Sequence, residues 1–186
     1  MFEIIELAKK LFDVVGSVGK FLILGLESRP GQDLDEFEIR NGSYVFPGFE
    51  KFFAPKISQI IEALKAAGFT ASQQRDSNTR IKLLAVRAGI GEWGKNSLVI
   101  HSKFGPRLRF AVIEASSNFP TISRDHLAIC GHCSNCDECL HACPVADLLH
   151  PFFLTDKEAC LAYLNLDKPG VKSRCDKCQV VCPVGK

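Results

Sequence analysis

All nine cysteines of this 186-residue chain fall between Cys130 and Cys182, and no other feature restricts its fold as strongly. The first group runs Cys133-Ser-Asn-Cys136-Asp-Glu-Cys139-Leu-His-Ala-Cys143-Pro144. Three thiols two residues apart, then a fourth after three residues and before proline, is the spacing that wraps a [4Fe–4S] cluster. A second, split group follows: Cys160, a gap, then Cys175-Asp-Lys-Cys178-Gln-Val-Val-Cys182-Pro183. The cysteine before proline is turned toward the neighbouring cluster. Cluster one is therefore expected on Cys133, Cys136, Cys139 and Cys182, and cluster two on Cys143, Cys160, Cys175 and Cys178.

Two four-cysteine sets imply two [4Fe–4S] clusters and one-electron chemistry. The alternative is a zinc ion on Cys133, Cys136, Cys175 and Cys178. Zinc leaves Cys139, Cys143, Cys160 and Cys182 without a role and does not explain the two prolines. Cys130 is the ninth thiol, read as a spare near the cluster. His132 and His141 flank ligands and are read as outer residues, since both sets are already complete. A module this short draws much of its folding energy from its metals.

The rest of the chain sets the context. At 46% hydrophobic residues it buries a real core, and a net charge of +2 demands neither nucleic acid nor an anionic surface. Glu3 and Glu6 stand where a signal peptide carries positive charge, and the apolar run Phe21–Leu26 is too short to cross a bilayer. A reducing cytoplasm, with no membrane, is the expected location; exposed clusters favour an anaerobic host.

Periodicity predicts a helix over residues 2–15, a buried strand over 20–26, and a long connection over 27–50 with a short strand at 43–46. A helix follows Pro55, then a strand over 69–73 and a helix capped by Asp76 or Ser77. Strands are predicted at 97–101 and 107–115, joined by a turn at Lys103–Pro106 as a hairpin or near neighbours. Residues 1–120 read as an α+β domain and 121–186 as the cysteine module, with helical turns after Cys139 and Cys175. A capping box, Thr155-Asp-Lys-Glu158, opens a helix carrying Cys160 and Tyr163.

Other groups are weaker signals. Gly89-x-Gly91-x-x-Gly94 matches a dinucleotide fingerprint, but it follows a helix and precedes a strand, the reverse of the required order. Lys103, Arg107 and Arg109 read as a solvated strand face, and no stacking motif for RNA is present. His101 reads as structural. Asp76 is first a helix cap and only a weak catalytic candidate.

The stretch Arg87-Ala-Gly-Ile-Gly-Glu-Trp-Gly-Lys-Asn-Ser-Leu-Val-Ile-His-Ser-Lys-Phe-Gly-Pro-Arg-Leu-Arg109, followed by both cysteine groups, resembles the epoxyqueuosine reductases and corrinoid reductive dehalogenases. The resemblance implies a nitroreductase-like, cobalamin-binding α+β domain followed by a small ferredoxin-like two-cluster module. It implies that Gly91, Gly94, Lys95, Asn96 and Ser97 lie against the corrin. The queuosine enzymes carry an Asp-Thr-Gly-Pro stretch that supplies a proton donor; Asp76-Ser-Asn-Thr sits nearby without that pattern, and the catalytic tyrosine of the dehalogenases has no counterpart, Tyr44 and Tyr163 being the only tyrosines. The expected function is electron relay to a corrinoid-type cofactor or substrate in the N-terminal domain. Two alternatives stand beside it: a plain ferredoxin-like carrier that docks a redox partner protein, and a reduced tRNA-modifying enzyme, which the modest charge makes the less attractive.

Overall fold

A computed structural model describes residues 1–32, 34–41, 43–74, 78–120, 128–146 and 175–186. Asp76, Cys160 and the helix expected after Thr155 lie outside the described residues.

The centre is a four-stranded antiparallel sheet in the order β1 (Val14–Val18), β2 (Phe21–Glu27), β8 (Leu108–Ala115), β5 (Ala71–Gln74). Strand alternation assigns its faces. Leu22, Leu24 and Leu26 of β2 and Ala111, Ile113 and Ala115 of β8 point to one core. That core holds Ile4 and Ala8 of α1 (Phe2–Leu11) and Ile57, Ile60 and Leu64 of α3 (Ala54–Ala66). Ile23, Leu108 and Val112 point the other way, onto Leu84, Ala85 and Val86 of α4 (Asn78–Arg87) and onto Ile90, Trp93 and Val99. The sheet is thus covered on both sides, and each fully buried Leu or Ile contributes about 1.5–3 kcal/mol. Phe53, fully buried between α2 (Pro47–Phe52) and α3, stacks on Phe49 at 4.5 Å and meets Phe12 at 5.7 Å.

The first helix is shorter than its periodicity suggests. It ends at Leu11, Phe12 turns extended (φ −124°, ψ 149°), and Val14 and Val15 pair with Gly25 and Leu24. Two β-branched residues beside a ready strand edge outweigh the continued helical stripe. The expected pairing after Asn96 is also different. Strand β7 (Val99–Ile100) pairs with β6 (Glu92–Trp93), not with β8, and only a His101–Gly105 bridge closes the turn before β8. The connection after β2 holds a small hairpin of β3 (Glu38–Arg40) and β4 (Ser43–Val45). Short helices do occur after Cys139 and Cys175, at Glu138–His141 and Lys177–Val180, and they pack together. Among the described residues no helix is long and apolar enough to cross a membrane.

Candidate metal centre

The cysteine segment is attached to the domain through its backbone. Trp93 donates its N–H to the Ala128 carbonyl at 2.7 Å, and Cys130 donates to the Trp93 carbonyl at 2.9 Å. Residues 128–130 thereby run beside β6, and Cys130 is only 1% exposed. From there the chain tightens into a 3₁₀ turn, Gly131–Asn135. Cys133 N–H donates to the Cys130 carbonyl at 3.0 Å and Cys136 N–H to the Cys133 carbonyl at 3.4 Å. Only Cys133 lies within this turn; Cys130 and Cys136 are its extended flanking residues, and all three thiols line one hollow.

The result is a hollow lined by Cys130, Cys133, Cys136, Cys139 and Cys182, enclosing about 350 Å³ including open solvent at its mouth. Cys182 arrives from the end of the second group. Cys143, the cysteine expected to serve the other cluster, is absent from this lining, as are Cys175 and Cys178. The zinc alternative therefore divides: Cys133 and Cys136 line the hollow while Cys175 and Cys178 do not. All eight described cysteines are free thiols.

Electrostatics describe a crowded donor set. Burial pushes the Cys139 thiol up, helped by the charges of Cys136 and Cys182. Burial also raises Cys182, with Cys130 and Cys136 adding to it. Cys130 is pushed up to about 11 by burial and by its hydrogen bond to Cys133. Ionising several thiols around one hollow is thus opposed unless cations sit between them, and soft sulfur donors favour iron–sulfur chemistry. Among the described residues no three His, Cys, Asp or Glu side chains converge as ligands of a single ion. A cubane instead takes its ligands at separate corners, which five thiols spread round one hollow can supply.

The domain grips this centre at four points. Lys95 Nζ donates to Asp137 Oδ1 at 2.6 Å, and Asn96 Nδ2 donates to the Cys178 carbonyl at 3.4 Å. Arg109 Nη2 donates to both Asp35 Oδ2 and Gln179 Oε1 at 2.7 Å, while Gln179 Nε2 reaches the same Asp35 oxygen at 3.3 Å. Arg107 Nη2 donates to the Gly185 carbonyl at 2.8 Å and its Nε to Glu27 at 3.0 Å. Arg107 and Arg109, expected on a solvated face, are instead 33% and 19% exposed, because acidic partners and the cysteine tail cover them. Burial works against ionisation of Asp35, but Arg109 and the hydrogen bonds from Ser28, Arg109 and Gln179 prevail and hold its carboxyl below the usual range. Asp35 and Gln179 were not singled out by pattern; the one available signal was an acidic residue in a long connection.

The loop from Gly91 to Ser97 has a specific geometry. A Cβ on Gly91 would strike the Ile100 carbonyl, and one on Gly94 would strike Ile100 and Asn96 side-chain atoms, so close packing of β6 on β7 accounts for both glycines. Asn96 and Ser97 are buried, with Ser97 at φ 61°. Asn96 Oδ1 accepts the Leu98 N–H, and Lys82 Nζ donates to the Ser97 carbonyl. Lys95 and Asn96 line the thiol hollow itself. Gly91, Gly94, Asn96 and Ser97 are buried, and Lys95 pairs with Asp137. His101 Nδ1 accepts the N–H groups of Lys103 and Phe104, a structural role.

The fold and the hollow define a mixed α/β scaffold that gathers five thiols around one hollow. The chain is a relative of the epoxyqueuosine reductases, which are oxidoreductases. It is 29% identical over 151 residues to the epoxyqueuosine reductase of Pseudomonas aeruginosa, a match covering 73% of this chain and 40% of that enzyme. An epoxyqueuosine reductase solved with an epoxyqueuosine-modified tRNA stem loop superposes with a TM-score of 0.68 at 19% identity, covering 99% of this chain and 64% of the other. A reductive dehalogenase described as B12-dependent gives a TM-score of 0.70 at 15% identity, covering 97% and 31%. The chain thus spans well under half the length of the Pseudomonas enzyme. No protein-family model matches it.

Proposed function

We propose that this chain is an iron–sulfur reductase of the epoxyqueuosine-reductase kind, which sends single electrons through two [4Fe–4S] clusters toward a corrinoid and onto a modified tRNA base. The observation that carries it is the closure of the thiol hollow by Lys95 and Asn96, which places the domain directly against the cysteines. Clusters of this type exchange one electron at a time, at potentials set by charge, hydrogen bonds and exposure. The chain's own residues supply those settings. Cys133, Cys136, Cys139 and Cys182 would hold the first cluster, and Cys143, Cys160, Cys175 and Cys178 the second. Lys95 brings a positive charge beside Cys133 and Cys139. Trp93 holds the Ala128–Cys130 segment by two backbone hydrogen bonds, which sets Cys130 in the lining. The corrinoid enters on the likeness to the B12-dependent dehalogenase, with Gly91, Gly94, Lys95, Asn96 and Ser97 as the residues that would lie against it.

A tRNA acceptor is supported by the relative solved with a stem loop, against the expectation from net charge. Net charge over a whole chain says little about a local patch. Anaerobic reconstitution should load about eight irons per chain. Cobalamin should then raise the melting temperature, and a stem loop bearing epoxyqueuosine should be reduced when a strong donor is supplied. Iron loading with neither response would reduce the chain to a plain electron carrier that docks a partner, and would sink this reading.

A further inference from the structure

Cys182 belongs to the second cysteine group by sequence, yet it lines the hollow beside Cys133, Cys136 and Cys139 of the first. Those three come from one short stretch of chain, whereas Cys182 is brought to them across a long loop. Closing such a loop costs chain entropy, which contacts near its end must offset.

The contacts bracket Cys182. Its N–H donates to the Gln179 carbonyl at 3.2 Å, so the two residues share one turn. Gln179 Oε1 accepts from Arg109 Nη2 at 2.7 Å and its Nε2 reaches Asp35, so both ends of the amide are used. Three residues beyond Cys182, the Gly185 carbonyl accepts from Arg107 Nη2 at 2.8 Å. Ser28 N–H donates to the Arg107 carbonyl at 2.9 Å, which continues the β2–β8 ladder through that residue. Two positions apart on one strand, Arg107 and Arg109 leave the sheet on the same side. Each is anchored in turn. Glu27 holds Arg107 and is itself paired with Arg29, while Asp35 holds Arg109 and accepts from Ser28 Oγ.

We propose that Arg107 and Arg109 are a pair of positioning residues that assign Cys182 to the first cluster, by holding the chain on either side of it. Neither arginine lines the hollow, so both act through the chain and not on the metal. The proposal rests on reading the hollow as a cluster site.

The test reconstitutes the full chain anaerobically as wild type, the double variant Arg107→Met with Arg109→Met, Gln179→Met, Cys182→Ala and Phe53→Ala. Iron per chain after desalting and the EPR spectrum of the reduced protein are the readouts. Wild type should hold about eight irons, and Cys182→Ala sets the signature of a first cluster that has lost its remote ligand. The double variant should lose about as much iron as Cys182→Ala and reproduce its EPR line shape, although every cysteine is present. Gln179→Met leaves the Arg109–Asp35 pair in place and should shift the EPR signal the same way; it decides the matter if the double variant does not fold. Phe53→Ala, destabilised in a distant core, should keep wild-type iron and EPR. A double variant with wild-type iron and spectrum would overturn the proposal, as would a Cys182→Ala chain indistinguishable from wild type. Equal iron loss in Phe53→Ala would also overturn it, since the arginines would then act through stability alone. A wild-type chain that takes up no iron would strike the cluster reading itself, and so is distinguishable from these results.

Discussion

Gly105 and Gly185 meet backbone to backbone: a Cβ on Gly185 would collide with the Gly105 nitrogen, and one on Gly105 with the neighbouring Val184 carbonyl. Both hold positive φ, 54° and 79°. This contact, with the Arg107 bond to the Gly185 carbonyl, seats the segment that delivers Cys182 to the hollow.

Replacing Gly185 by alanine should therefore act twice. The left-handed backbone costs about 1–2 kcal/mol, and the collision lifts the tail. Iron retention at the first cluster should fall, measured as iron per chain after desalting. Gly31→Ala is the control: it shares the positive φ but meets nothing within 4 Å, so it should lose stability without losing iron.

Acid should loosen the grip that Arg109 and Asp35 make on Gln179. The Asp35 carboxyl sits below its ordinary range in the folded chain, so it binds fewer protons there than when unfolded. Its contribution is full above the unfolded value of about 3.9 and is lost as pH falls through the lower folded value. Asp35→Asn should cost about 1–3 kcal/mol near neutrality, through weakened bonds to Arg109. Its melting temperature should also fall less steeply than wild type below about pH 4. An unchanged acid limb would show that Asp35 does not govern it.

Lys95 should tune electrons more than stability. Its ammonium lies beside Cys133 and Cys139 and pairs with the exposed Asp137. Removing a positive charge disfavours the more negative reduced state, so Lys95→Met should lower the midpoint potential of the first cluster while iron content stays level. Protein-film voltammetry or an EPR-monitored titration reads this directly; an upward shift contradicts it.

The hydrophobic centre lies elsewhere and should fail independently. Phe53 is fully buried against Phe12 and Phe49, so Phe53→Ala should cost about 3–5 kcal/mol in denaturant unfolding. Iron removal, by contrast, should leave the β1–β2–β8–β5 sheet cooperative, because its two cores contain no cysteine. Far-UV circular dichroism of the chelated protein checks this.

Local chemistry was legible in the sequence where it acts over three or four residues. The cysteine spacing foretold thiols brought together, and Cys133, Cys136 and Cys139 do line one hollow with Cys182. The apolar stripe Ile57, Ile60, Leu64 and the strands at β2 and β8 were readable for the same reason. What escaped were choices between distant partners. Val14 and Val15 extend a helical stripe, yet they lie in a strand because β2 offers an edge. Arg109 looked solvated because its partners, Asp35 and Gln179, are 74 and 70 positions away. Glycines at 91 and 94 suggested approach to a ligand, and their close neighbours in the structure are protein atoms.

The docking of the tail against Gly105 also sets an order of events. Cys182 leaves the ribosome well after Ala115, the residue with which the central sheet is complete. N-terminal regions generally fold first during synthesis. The sheet therefore waits as a finished platform, and the hollow gains its full set of thiols only when translation has passed Cys182. Any metal this centre takes is in that sense added to a domain that has already folded.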